Sequence, residues 1–331
     1  MKYRELGHSG IRASVVALGT FGLGGGRTWS DTHAGTQDAI RLLEVAQEQG
    51  ISLIDTAPVY GIGHSETMLG EALKGRRDKF FIQTKCGLNW RDRAGELEYV
   101  RDGVSVYKNL TAAAIVRDAE DSLKRMQLDV IDVYITHRQT DRVPVEETMG
   151  ALRRLIEQGK IRAVGISNAS PEILQAYAQI GPVALVQEKY SILSPQAESA
   201  YFPMCKACGT SFQVYASLES GALTGPQALG RTFPEGDVRQ KNRWFHPALR
   251  PHLLRVYESW QTLCEAYGCS LANLVQAWTV QQSDCINLLT GFRRVESLLD
   301  TCRAMDITLS EADMAQMRAD CDRLRAIEIE P

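Results

Sequence analysis

Short apolar runs over 15–18, 52–54, 80–83, 130–135, 161–165, 184–186, 212–214 and 286–289 alternate with longer segments of a different rhythm. Runs of this length, apolar at nearly every position, are what strands covered on both faces look like. In the longer segments apolar residues recur every three to four positions, which predicts helices, clearest over 38–49, 65–74, 111–126, 145–158, 171–180 and 295–305. Thr111, and Ser170 followed by Pro171, stand where helices should start. Gly50, Gly75, Gly159 and Gly181 stand where they should end. Eight strands alternating with helices imply a closed parallel barrel or a large doubly wound sheet. Two connections are long, 87–110 after the third strand and 221–251 after the seventh, and such loops on a compact scaffold serve as lids or binding loops. No linker, low-complexity tract or repeat beyond this rhythm divides the chain, so residues 1–331 are read as one domain.

Polar residues then decide between the two architectures. Asp55 ends the second strand, Lys85 follows the third and His137 the fourth. Ser167 and Asn168 follow the fifth, Gln187 the sixth, Tyr215 the seventh and Arg293 the eighth. In a (β/α)₈ TIM barrel all these positions converge on the C-terminal face. In an open sheet they would be strung along a crevice and could not share one ligand. The barrel is therefore expected.

Composition narrows the function. A formal net charge of −3 gives no reason to expect nucleic acid or an anionic membrane as partner. No apolar run spans a bilayer and the start, Met1 to Glu5, has no signal-peptide core, so a cytoplasmic address is expected. Eight cysteines in such a chain read as reduced thiols. Cys205 and Cys208 have metal-pair spacing, but the only other close pair, Cys264 and Cys269, has the wrong interval; the six histidines form no close pair, so no metal is expected. Gly22-Leu23-Gly24 begins a dinucleotide fingerprint that Arg27 breaks, so these glycines are read as a close passage of backbone.

The stretch from Leu53 to Gly61, Leu-Ile-Asp-Thr-Ala-Pro-Val-Tyr-Gly, with Ser65-Glu66, resembles the signature of the aldo-keto reductase superfamily. The similarity continues through Thr84-Lys85-Cys86-Gly87, Tyr134-Ile135-Thr136-His137, Gly165-Ile166-Ser167-Asn168, Gln187-Glu188-Lys189-Tyr190 and Gly221-Ala222-Leu223-Thr224-Gly225. It covers nearly the whole chain in order. Tyr107-Lys108-Asn109-Leu110 and the Trp29 region are most similar to bacterial reductases of the NADH-dependent methylglyoxal reductase type. The resemblance implies a (β/α)₈ barrel opened by a β-hairpin, residues 3–6 pairing with 12–13 across His8-Ser9-Gly10.

It also implies a function: NAD(P)H-dependent reduction of an aldehyde or ketone, such as a small α-oxoaldehyde or an open-chain sugar, and the reverse oxidation. The alternative is a cofactor-binding regulatory subunit with little turnover. Tyr60 would donate the proton, His137 would orient the carbonyl oxygen, and Asp55 would hold Lys85. The Lys85 ammonium is expected to lower the Tyr60 pKa. Ser167, Asn168 and Gln187 match contacts to the nicotinamide carboxamide, and Tyr215 the aromatic stacked on its ring. Ser217, Leu218, Ser220, Gly221 and Leu223 would follow the pyrophosphate. Gly291, Arg293, Arg294 and Ser297 would meet the adenosine end.

The chain departs from the family at Arg138, where tryptophan is common, and at Pro226, where lysine is. Ser297 and Thr301 replace a glutamine and an asparagine. Arg293 favours NADPH, with NADH usable. Trp29, Trp90, Tyr107 and Arg138 are the candidate pocket liners. The sequence leaves the oligomeric state open.

Overall fold

A computed structural model describes residues 1–24, 35–101 and 103–329. The chain opens with an antiparallel hairpin, β1 (Tyr3–Glu5) and β2 (Arg12–Ser14), then enters the barrel through β3 (Val16–Gly19), β4 (Leu53–Asp55) and β5 (Phe81–Cys86). A separate three-stranded antiparallel flap follows, of β6 (Leu88–Asn89), β7 (Glu96–Arg101) and β8 (Val104–Lys108). The barrel resumes with β9 (Ile131–Thr136), β10 (Ile161–Ser167), β11 (Leu185–Lys189), β12 (Ser211–Tyr215) and β13 (Ile286–Gly291). All eight barrel strands pair in parallel, and the last closes on the first with Gly291 opposite Gly19.

Helices return the chain between strands: α1 (Thr36–Glu48), α2 (His64–Ala72), α3 (Ala112–Met126), α4 (Val145–Glu157) and α5 (Pro171–Ile180). Short α6 (Ala197–Ala200) and α7 (Phe202–Cys208) follow β11, and α8 (Arg250–Tyr267) and α9 (Leu271–Gln281) follow β12. The chain then finishes on α10 (Val295–Arg303) and α11 (Glu311–Arg325). Among the described residues no helix is long and apolar enough to cross a membrane.

Strand alternation sorts the core into two parts. Val16, Leu18, Ile54, Ile82, Tyr134, Val164, Val186 and Val214 face the helices and join one large cluster. Their neighbours Ala17, Leu53, Val133, Ala163 and Leu185 face the axis and form a second. Leu6, Ile11 and Ala13 of the hairpin join this inner cluster and plug the N-terminal end. The barrel is thus a filled core.

Local chemistry matches most of the expected starts and stops. Ser170 caps α5, its Oγ accepting from the Ile173 amide at 3.4 Å. Thr111 precedes α3 but makes no such bond; its Oγ donates to Asn109 Oδ1 at 2.8 Å. Gly50 and Gly159 turn left-handed at φ +74° and +70°, whereas Gly181 leaves α5 fully extended at φ −174°. The third barrel strand runs past its expected end at 83, so Lys85 sits within β5 rather than after it. The loop expected over 87–110 folds into the flap, and the one over 221–251 winds through successive 3₁₀ turns. Helices α8, α9 and α11 lie outside the six clearest segments; α9 is buried along nearly its whole length, which blurs a one-sided pattern.

Candidate active site

Asp55, Lys85 and His137 come from β4, β5 and the end of β9, and Tyr60 from the loop after β4. The Lys85 ammonium is fully buried and meets Asp55 Oδ1 and Oδ2 at 2.7 and 2.8 Å, the Thr56 carbonyl at 2.9 Å and the Tyr60 hydroxyl at 3.1 Å. Burial alone pulls its pKa down, but Asp55 and then Tyr60 outweigh burial and hold it above the usual value. Lys85 therefore stays charged.

Tyr60 departs from expectation. Its pKa is raised, not lowered, because burial comes first and the Lys85 charge and hydrogen bond only partly offset it. The physical reason is that a phenolate leaves water at greater cost than one ammonium repays when Asp55 neutralises that ammonium. The phenol is held protonated. Lysine can only donate, so the phenol oxygen accepts from Lys85 and its own proton is left for the pocket.

The loop bearing Tyr60 crosses the one after β3 so closely that a Cβ on Gly61, at φ +63°, would fall 2.1 Å from the Gly24 carbonyl. Ser65 ties the same region down, bonding Thr20 Oγ1 at 2.7 Å and Thr56 Oγ1 at 3.0 Å.

His137 faces Tyr60 edge-on, ring centres 6.0 Å apart. Burial first, then the Lys85 and Arg138 charges, press its pKa well below 6.5, so the imidazole is neutral. Its Nδ1 is buried without a partner among the described residues. Its carbonyl accepts from Asn168 Nδ2 at 2.9 Å, and Tyr215 donates to Asn168 Oδ1 at 2.9 Å, which fixes Asn168 in the left-handed region at φ +51°. A neutral ring nitrogen beside a phenol proton is suited to grip a polarised oxygen.

The residues matched to a nicotinamide lie around the same mouth. Ser167 donates to the Gln187 carbonyl at 2.9 Å and accepts from Asn168 at 2.9 Å. Gln187 turns its amide nitrogen inward, to Asp55 Oδ1 at 3.0 Å and Gln213 Oε1 at 2.7 Å. Beyond Tyr215 the backbone passes through the left-handed region at Ala216, Glu219, Ser220, Gly221 and Gly225, and Ser217, Leu218 and Leu223 lie in this run. Successive amides in such a conformation form a concavity that accepts anions. The run is pinned by Glu219, a buried carboxylate that Ser194 Oγ reaches at 2.8 Å and Lys189 at 3.0 Å. A Cβ on Gly221 would lie 3.5 Å from Arg231 Nη1, so a guanidinium stands beside the concavity although Pro226 replaces the family's lysine.

Gly291 at the end of β13 and Arg293 and Arg294 just before α10 are exposed, and Ser297 in the first turn of α10 is half-buried. Thr301 faces the other way, accepting from Gln276 of α9 at 3.2 Å.

The proposed pocket liners scatter. Trp29 lies outside the described residues. Trp90 has the guanidinium groups of Arg91 and Arg125 each 5.9 Å from its ring, and those pair with acids of α3 and α2. Tyr107 stands in the flap opposite Asn89 and Leu97. Arg138 meets Glu98 of the flap, Nε to Oε1 at 3.4 Å, and Thr140 and Arg142 reach flap residue Glu96 at 3.2 and 3.9 Å.

Sequence reasoning missed Phe21, edge-on to Tyr60 at 5.0 Å, and Tyr99 of the flap, close enough to act on Tyr60's ionisation. It also missed Glu188, whose Oε1 accepts from the Ala169 amide at 2.6 Å, and Gln83, Gln213 and Asn287 beneath Asp55. Strand alternation could have found the last three, since each keeps the inward parity of a mouth residue.

The family model described as Aldo/keto reductase family matches residues 15–320. The chain is 37% identical over 322 residues to an NADH-specific methylglyoxal reductase of Escherichia coli (strain K12), covering 96% of this chain and 98% of that one. It is 32% identical over 291 residues to an NADP(+) aldo-keto reductase of Schizosaccharomyces pombe, covering 86% and 83%. The solved glycerol dehydrogenase of Gluconobacter oxydans superposes with a TM-score of 0.87 at 29% identity, covering 99% of this chain and 97% of the other. The buried ion pair, the protonated phenol and the neutral imidazole thus stand in a chain that belongs to the aldo/keto reductase family, oxidoreductases that reduce an aldehyde or ketone with a nicotinamide cofactor.

Proposed function

We propose that Tyr60, His137, Lys85 and Asp55 carry the reduction, on a small α-oxoaldehyde or an open-chain sugar, with NADPH preferred and NADH usable. A bound nicotinamide supplies the hydride. One observation carries the reading: the Tyr60 oxygen accepts from Lys85, which leaves its proton for the substrate oxygen. The neutral His137 ring binds that oxygen and orients it. As the proton leaves, Lys85 stabilises the phenolate, and Asp55 keeps Lys85 in place.

The residues present fit a dinucleotide. The left-handed run over 216–225, with Arg231 beside it, suits a pyrophosphate. Gln187 keeps only its Oε1 for the carboxamide, because both hydrogens of its amide are already engaged. Ser167, Asn168 and Tyr215 would border the nicotinamide; Ser217, Leu218, Ser220, Gly221 and Leu223 the phosphates. Gly291, Arg293, Arg294 and Ser297 would border the adenosine. The paired Arg138 and Glu98 support a hydroxylated substrate, since one donates a fork of hydrogen bonds and the other accepts. All eight cysteines are unpaired, which suits the reducing cytoplasm.

The test is a screen of aldehydes, ketones and open-chain sugars against both reduced cofactors, read by absorbance at the nicotinamide band. Cofactor binding without turnover of any carbonyl would favour a regulatory subunit and overturn the reading.

A further inference from the structure

Beneath Asp55 the barrel axis carries amides where a hydrocarbon layer would be cheaper. Gln83, Gln187, Gln213 and Asn287 come from β5, β11, β12 and β13, and all are buried. Four buried carboxamides are costly unless each finds partners. They find one another, and in only one orientation.

Both Asp55 oxygens accept from the Lys85 ammonium, which can only donate. Gln83 and Gln187 must therefore turn their nitrogens to Asp55 Oδ1, at 2.7 and 3.0 Å. The second hydrogen of each nitrogen ends on Gln213 Oε1, at 2.5 and 2.7 Å. That fixes the Gln213 amide with its nitrogen to Asn287 Oδ1 at 2.7 Å and back to Gln83 Oε1 at 3.3 Å, and Asn287 Nδ2 in turn reaches the Ser14 carbonyl at 2.8 Å. The charge of one carboxylate thus sets the direction of every amide to the far wall.

We propose that Gln213 is a positioning residue for Asp55 and for the nicotinamide carboxamide, neither of which it touches. By accepting from Gln83 and Gln187 together, it aims their donors at Asp55 and leaves Gln187 Oε1 without a partner among the described residues. The ionisation of the tetrad and the seating of the nicotinamide carboxamide are thereby coupled through a single buried oxygen. This rests on the cofactor contact proposed above for Gln187.

The test measures affinity for NADPH by quenching of tryptophan fluorescence, without substrate, and the pH profile of kcat for reduction. Gln213→Met, close in volume, should weaken cofactor binding about tenfold, the scale of one well-placed hydrogen bond. It should also move the alkaline limb of kcat upward by roughly half a unit, because Asp55 with fewer donors exerts more of its charge on Tyr60. A packing role alone would lower thermal stability and move neither quantity. A folded Gln213→Met protein with unchanged affinity and an unchanged limb overturns the proposal.

If Gln213→Met does not fold, Gln213→Glu keeps the shape and the two acceptors. Because it can still accept from Gln83 and Gln187, cofactor affinity should stay within about threefold of wild type. A tenfold or greater loss of affinity in the folded Gln213→Glu protein also overturns the proposal. Wild-type protein that binds no nicotinamide cofactor at all would instead remove the reading of Gln187, and the coupling with it.

Discussion

Lys85 Nζ stands 3.1 Å from the Tyr60 hydroxyl, on an ammonium otherwise enclosed by Asp55 and the Thr56 carbonyl. With those directions closed, its remaining contact is the phenol. In the proposed reduction the pair acts as a single unit: a donor whose conjugate base is stabilised the moment it forms. Removing the phenol oxygen should remove the proton but not the cofactor site. Tyr60→Phe is expected to lower kcat about a thousandfold, the usual range for one general acid being 10²–10⁴. Steady-state kinetics with a fluorescence titration of cofactor checks this; kcat within tenfold of wild type would take Tyr60 out of the acid role.

Lys85 acts on Tyr60 against burial, which already raises its pKa. Lys85→Met should therefore push the phenol further up, and the alkaline limb of the residual activity should move to higher pH. The pH profile of kcat reads this directly. An unmoved limb would mean that Lys85 contributes packing and not charge.

Arg293 precedes α10, where the first-turn amides point at whatever anion lies there. A 2′-phosphate there would gain a charged hydrogen bond, so Arg293→Ala should raise the KM for NADPH about tenfold. NADH kinetics should barely change. Equal losses with both cofactors would place Arg293 on the adenine or on the fold, and the NADPH preference would be withdrawn.

Glu188 is pushed up to about 7 by burial, against the Ala169 amide and the Arg138 charge. The folded protein therefore holds this proton over a window, from the ordinary carboxylate value to about 7, in which the unfolded chain has released it. Where the folded state binds more protons, stability falls as pH rises, and the loss is complete above that window. Glu188→Gln should flatten this slope. Urea midpoints at pH 5 and pH 8 measure it: wild type should lose more between them than the variant, and equal losses would refute the assignment.

The barrel was legible from the sequence because its signal is local. Runs such as 130–135 and 161–165 are apolar at nearly every position, which only strands covered on both faces require. Asp55, His137, Ser167 and Tyr215 each fall at the end of such a run. Strand ends of one barrel face meet by topology, so their convergence followed from position alone. The flap was not legible. Its strands are short and half-buried, and their pairing joins residues such as Glu96 and Lys108 across a turn that no periodicity marks.

Ionisation belonged wholly to the tertiary structure. The sequence places a lysine near a tyrosine and implies a lowered pKa; burial, which depends on every wall of the pocket, reverses the sign. The same division holds below the tetrad. Gln83, Gln213 and Asn287 could be placed facing the axis by counting alternate residues from Lys85, Tyr215 and Leu289. That they meet as one oriented chain depended on strand register, which sets Gln213 beside both Gln187 and Asn287, and Gln83 beside Asp55. Alternation is a property of one strand, whereas register is a property of its neighbours, and only the folded barrel brings those neighbours together.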